Sequence, residues 1–161
     1  MTMIDIIKKR IHFETIVIKN LFALYLLLLI KITILPIWID VVYMPQVNIM
    51  EMIQFVPFHT IIENLTDGYY IPIIGNILLL MPLIIGISLL KSEKISKKKL
   101  LVIGVACSLL IEMVQLITDI ITKTNAHILD IDDVILNIVG IILSLLLVDP
   151  VKRLWKRMRI R

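Results

Sequence analysis

The chain has 161 residues, 59% hydrophobic and 19% charged, with a net charge of +4 and a mean hydropathy of +0.97. Soluble domains are about half apolar and a quarter charged, so this composition excludes that class and asks for an integral membrane protein. The surplus cations flank apolar runs, which points to membrane anchoring rather than nucleic acid, and a lone Cys107 excludes an intrachain disulfide or a cysteine metal site.

Met1 to Lys19 is basic and amphipathic, with Lys8, Lys9, Arg10 and Lys19 beside Ile4, Ile7, Ile11 and Phe13. Such a segment suits the membrane surface. No small-residue cleavage site follows the next apolar run, and further spans come later. An uncleaved first helix is therefore preferred to a signal peptide. The first span is placed at 20–39 and contains Lys31. A start near Ile16 would put Lys31 toward the far end, free to snorkel to water; a start at Asn20 would put it centrally and demand an acidic partner. The first arrangement is preferred. Pro36 and Trp38 mark the exit.

Asp40 to Tyr70 contains no Lys or Arg yet is rich in Met, Ile, Phe and Val. A connector of that kind packs on the bundle or dips into the interface. Pro45 and Pro57 break any long helix in it, and Asp67-Gly68 signals a turn before the second span, 71–90. Pro72 falls in that span's first turn, where the missing amide hydrogen costs nothing; Pro82 falls mid-span and predicts a kink. Gly75 and Gly86 offer thin places for close helix contact.

Lys91 to Lys99 is a lysine-rich loop, and the third span follows at 100–121, with Cys107 a small packing residue inside it. A polar connector with one lysine, Lys123, leads to the fourth span, 131–148. Asp149-Pro150 is expected to stop it ahead of a basic tail. The cations gather at the N-terminus, in the lysine loop and in the tail. The positive-inside rule then puts both termini in the cytoplasm. The reading is an all-α bundle of four transmembrane helices, one domain over 1–161, with a partly apolar extracytoplasmic loop between helices 1 and 2.

Polar residues inside the spans carry the functional argument. Ser108, Glu112, Gln115 and Asp119 are spaced by four, three and four, as are Asp133, Asn137, Gly140 and Ser144, so each set shares one helical face. Glu112 lies roughly 18 Å along its helix from Leu100. The implied topology brings Asn76 and the acids Asp132 and Asp133 to the same outer level. The expectation is one intramembrane polar site made of Asn76, Glu112, Gln115, Asp130, Asp132, Asp133 and Asn137, with His127 beside it. Bland roles compete. The three Asp residues suit a helix N-terminus, a reading favoured for Asp130 alone, and Asn137 and Gln115 suit interhelical hydrogen bonding. Glu112 is harder to dismiss, because a central acid costs about 2.5–3.5 kcal/mol on insertion scales. It is protonated, paired with Lys31, or lining a wet cavity.

The run Asn76-Ile77-Leu78-Leu79-Leu80-Met81-Pro82-Leu83, then Glu112 with Gln115, then Asp130-Ile131-Asp132-Asp133 with Asn137 and Gly140, resembles the VanZ-like family. Gln54-Phe55-Val56-Pro57-Phe58 resembles that family's Pro-Phe segment before the second span, and the likeness covers about Pro36 to Val148 in order. Two positions depart. His127 stands where the family commonly has Arg, and Ser144 where it often has Gly. His127 offers a cation only when protonated. The resemblance implies a multi-pass protein of the bacterial cytoplasmic membrane, from a family whose named member is linked to low-level resistance to the glycopeptide teicoplanin.

Three functions stay open. In the first, a non-enzymatic envelope protein binds a lipid-linked cell-surface component or a lipophilic antibiotic through Asn76, Gln115 and Asn137, among membrane lipids and with no cofactor. In the second, a membrane enzyme acts on a lipid-phosphate or cell-wall precursor, with Glu112 and Asp133 as catalytic candidates and Asp132 and Asp133 as weak candidates for holding a divalent cation. Against it, no nucleophile–base pair is recognisable, His59 and His127 are lone loop histidines, and zinc would lack His/Cys ligands. The third, a proton-coupled carrier, ranks last: four helices are few for alternating access and no inverted repeat is visible.

Overall fold

The structure is a computed structural model that describes residues 3–35, 52–91, 95–122 and 127–160, with side chains described between residues 13 and 157. Pro36, Trp38, the first part of the first connector (40–51) with Pro45, the centre of the lysine loop at 92–94, and Lys123 lie outside the described residues. In chain order the elements are α1 (Met3–Thr33), β1 (Ile53–Gln54), α2 (His59–Asp67), α3 (Tyr70–Leu79), α4 (Met81–Leu90), α5 (Lys97–Thr122), β2 (Leu129–Asp130) and α6 (Ile131–Ile160).

Among the described residues, four stretches are long and apolar enough to cross a membrane: Phe13–Thr33, Tyr70–Leu90, Lys97–Thr122 and Ile131–Arg157. The second and third agree closely with the sequence reading. The first starts and ends earlier than 20–39. Basic residues before Phe13 do not interrupt the helix, so the surface segment and the span are one continuous α1. Lys31 consequently sits in the last turn of α1 and is exposed, near the helix's negative dipole end.

Pro82 breaks the second span as expected. A proline ring cannot donate to the carbonyl four residues back and collides with it. The helix therefore ends at Leu79, passes Leu80 at φ −96°, ψ −1°, and restarts as α4 with Pro82 in its first turn. Pro150 behaves otherwise and corrects the reading: α6 runs straight through it to Ile160. One proline removes one hydrogen bond, and the flanking turns still hold. At about 1.5 Å per residue α6 is roughly 45 Å long, against about 30 Å of hydrocarbon, so its basic end extends into the interface where Lys and Arg snorkel. Lys97 Nζ meets Asp149 Oδ2 at 2.7 Å there, joining the start of α5 to α6.

α6 is the centre of the bundle. It packs against α3, α4 and α5 and is the most enclosed span, whereas α1 lies at the edge against α4. Small residues make this possible. Gly104, Ser108, Gly140 and Ser144 are all buried, and Gly140 lies so close to the Ile77 carbonyl of α3 that no Cβ fits between them. Leu80, Leu83, Ile84, Leu100, Ile141 and Val148 fill the core, with Phe22, Tyr25, Leu26 and Leu29 of α1 laid against it. The apolar residues left exposed, such as Leu21, Leu24, Leu27, Ile71, Leu110 and Leu146, are what a lipid-facing surface presents.

The chain is not purely α. β1 and β2 pair in parallel, Ile53 with Leu129 and Gln54 with Asp130. This ladder joins the connector after α1 to the connector before α6, and gives partners to backbone groups beside the bundle. The connector also holds α2, which packs on α3 and α6. α2 ends at Asp67 and is capped by Gly68, whose left-handed φ of 77° makes the turn signalled by Asp67-Gly68.

Candidate functional site

The acidic run at the start of α6 divides its side chains among different tasks. Asp130 is the N-cap: its Oδ1 accepts the Asp132 amide at 2.9 Å. Asp132 is fully buried and turns to α2, accepting the Phe58 amide at 2.6 Å and the Ile61 amide at 3.1 Å. These are N-terminal donors of a helix whose own cap residue, Phe58, has no side-chain acceptor and sits at φ 66°. Asp132 thus caps α2 from a distance. Asp133 points elsewhere and accepts from Asn76 Nδ2 of α3.

The other two polar helical faces meet this run. Glu112 is 4% exposed, and its Oε2 accepts the Asp130 amide in a long contact of 3.4 Å. Asn137 Nδ2 donates to Ser108 Oγ at 3.1 Å, while Asn137 Oδ1 is buried with no partner among the described residues. Gln115 Nε2 reaches α1 and donates to the Thr33 carbonyl at 2.8 Å, at the helix end where carbonyls lack intrahelical partners. His127 stands apart from this group. Its amide donates to Asp119 Oδ2 at 2.6 Å, and its Nδ1 lies 3.1 Å from Asp119 Oδ1. Lys31, being exposed, forms no ion pair with buried Glu112 among the described residues.

These groups share a cavity of about 510 Å³. Its apolar walls come from Tyr25, Leu28, Leu29 and Ile32 of α1, from Pro72, Gly75, Leu78 and Leu79 of α3, and from Pro82 and Ile111. Thr33, Asn76, Glu112, Gln115, Asp133 and Asn137 supply its polar groups. Leu28, Ile32, Pro72, Leu78 and Pro82 are exposed, so the cavity is a groove open along the side of the bundle. The structure brings Asn76, Glu112, Gln115, Asp133 and Asn137 into one groove; Asp130, Asp132 and His127 do not line it. Among the described residues no group of three or more His, Cys, Asp or Glu side chains is placed to hold a metal ion. Both Asp132 oxygens are engaged by amides.

Sequence reasoning missed α1 as a wall of the groove. The polar tip of Tyr25 in an apolar run was the available signal: its hydroxyl donates to the Leu79 carbonyl at 2.8 Å, next to the break that Pro82 causes. Asp119 was placed on the right face of α5 but not matched to His127. The pairing needs a connector that folds back over the end of α5, which spacing does not reveal.

The groove residues and the capping acids fall within a stretch, residues 22–153, that matches the model of the VanZ/LLP1 family. No curated protein and no solved structure matches the chain. With the family match spanning most of the sequence and four helices apolar enough to span a membrane, the chain is a membrane protein belonging to the VanZ/LLP1 family.

Proposed function

We propose that the chain is a binding protein of the bacterial cytoplasmic membrane whose lateral groove takes a lipid-linked envelope component or a lipophilic glycopeptide. The observation carrying this reading is the groove's construction: a cavity of about 510 Å³ with walls largely of hydrocarbon and a set of carboxyl and amide groups on Asn76, Glu112, Gln115, Asp133 and Asn137. Ligand sites are typically of this size and composition, with a few polar groups fixing orientation. An opening between lipid-facing side chains lets a molecule with an acyl chain enter from the bilayer without crossing water. The bias of Lys and Arg toward the N-terminus, the lysine loop and the tail supports an outer-leaflet position for the polar end of the groove. That is the side on which envelope components and glycopeptides are met.

The test replaces Glu112 with Gln and Asp133 with Asn, separately and together, and reads glycopeptide susceptibility and cell-surface binding at matched protein levels. A binding role keeps partial function in Glu112→Gln, because shape and hydrogen bonding survive, and loses it in the double variant. Wild-type behaviour in all three removes the proposal. Near-total loss in Asp133→Asn with activity that depends on an added divalent cation moves the assignment to an enzyme acting on a lipid-phosphate or cell-wall precursor.

A further inference from the structure

We infer that the groove selects a lipid-borne head group that donates hydrogen bonds and carries no negative charge, namely hydroxyls or a primary ammonium, and rejects phosphate. This rests on the groove being a ligand site, and it specifies the chemistry at the polar end.

The donors there are largely engaged by the protein itself. Tyr25 donates its hydroxyl to the Leu79 carbonyl and Thr33 its hydroxyl to the Leu29 carbonyl. Asn76 donates to Asp133, Gln115 to the Thr33 carbonyl and Asn137 to Ser108. The acceptors are in excess. Two carboxyl groups, on Glu112 and Asp133, line the same cavity, and the three amides add an oxygen each. The second hydrogen of each amide does not offset that count. Asn137 Oδ1 gives an independent sign. It belongs to a residue 1% exposed, on the groove wall, and has no hydrogen-bond partner among the described residues. A buried acceptor left open is costly unless something donates to it. Charge points the same way. No lysine, arginine or histidine is among the described groove-lining residues, so an anion would enter a low-dielectric space beside acids with no counter-charge from them.

The experiment uses the full chain in phosphatidylcholine nanodiscs with three photoactivatable dioleoyl lipids that differ only in the head: glucosyl, primary ammonium and phosphate. Crosslinks are mapped by mass spectrometry, and only those on groove-lining residues of α1 and α3 are counted, because the basic ends of the helices attract phosphate non-specifically. The glucosyl probe, the ammonium probe or both should label the groove at least roughly tenfold more than phosphatidic acid, the range of one hydrogen bond to a charged group. Which of the two leads identifies the source. Glu112→Gln should narrow the margin. Leu28→Arg, at the exposed rim and outside the buried network, should admit the phosphate probe. Equal or stronger groove labelling by phosphatidic acid in the wild type overturns the selectivity while leaving the groove as a ligand site. Absence of groove labelling by every probe overturns the site itself.

Discussion

Replacing Gly140 by Ala tests the helix packing that holds the groove together. Gly140 lies on the buried face of α6 against α3, and an added Cβ would overlap the Ile77 carbonyl oxygen, with the Ile77 carbonyl carbon at 2.8 Å and its Cα at 3.2 Å. The obstacle is backbone, so no rotamer change relieves it; α3 must move away from α6. Overpacking a well-filled interior costs about 1–3 kcal/mol, and a displaced helix belongs at or above the upper end. Two other glycines calibrate the result. At Gly104 the new methyl would meet side-chain ends, Ile141 Cδ1 at 2.8 Å and Ile84 Cδ1 at 3.0 Å, which can give way. At Gly75 nothing lies within 4 Å among the described residues, and Ala gains up to about 1 kcal/mol in helix propensity. Thermal unfolding of the purified protein in one detergent should rank Gly140→Ala well below Gly104→Ala, and Gly104→Ala below Gly75→Ala. At about 2–4 °C per kcal/mol for a chain of this length, Gly140→Ala should lose roughly 6–12 °C. A Gly140→Ala protein as stable as Gly75→Ala would refute the close approach of α3 and α6.

Other features invite equally direct tests. Asp132→Ala should cost about 2–4 kcal/mol, because two amides lose their acceptor, and should raise hydrogen exchange over His59–Asp67 first. Unchanged exchange there would mean that α2 is held by something else. His127→Arg should preserve stability and function, since Asp119 Oδ1 already lies 3.1 Å from the imidazole Nδ1 and suits a guanidinium; failure to fold would show that the connector cannot take the longer side chain. In a Cys107→Ser background, Ser96→Cys should react with an impermeant maleimide only from the cytoplasmic side and Thr66→Cys only from outside. The opposite pattern would invert the groove. Both positions are exposed.

Much of this arrangement was legible in the sequence because the relevant signals are local. Runs of about 20 apolar residues mark spans regardless of neighbours. The spacing of Ser108, Glu112 and Asp119 placed them on one face, and all three are buried on α5. Pro82 broke its helix because it falls within an otherwise regular run, where its ring has to be accommodated. Signals depending on partners distant in sequence did not show. The β1–β2 ladder joins residues more than seventy apart through two-residue strands, too short for any alternation to register. Pro150 looked like a terminator because Asp149-Pro150 reads as one in water. At the edge of a bilayer, where the following Lys and Arg keep their stems beside hydrocarbon, the helix had reason to continue. Asp132 and Asp133 were read together as a pair, yet adjacent helical residues point about 100° apart, and one serves α2 while the other meets α3.

That division of labour decides how any loss of function should be read. Asp119 holds the His127 connector, Asp130 caps α6 and Asp132 caps α2, so each of these acids is engaged in the fold and none lines the groove. Glu112 and Asp133 differ: the side chain of each accepts a single hydrogen bond within the described chain and also faces the cavity. Retaining two acids beside hydrocarbon is expensive when a glutamine and an asparagine would satisfy the same two protein partners. An Asp130 amide can donate to a glutamine oxygen, and Asn76 can donate to an asparagine oxygen. The protein's internal hydrogen bonding therefore does not require carboxyl groups at 112 and 133. Under the proposed binding role, a ligand that enters the groove and meets both carboxyl groups supplies that requirement. With stability intact, Glu112→Gln should then lower function only in part and the double variant with Asp133→Asn should abolish it, whereas Asp119→Ala or Asp132→Ala should lose stability and function together.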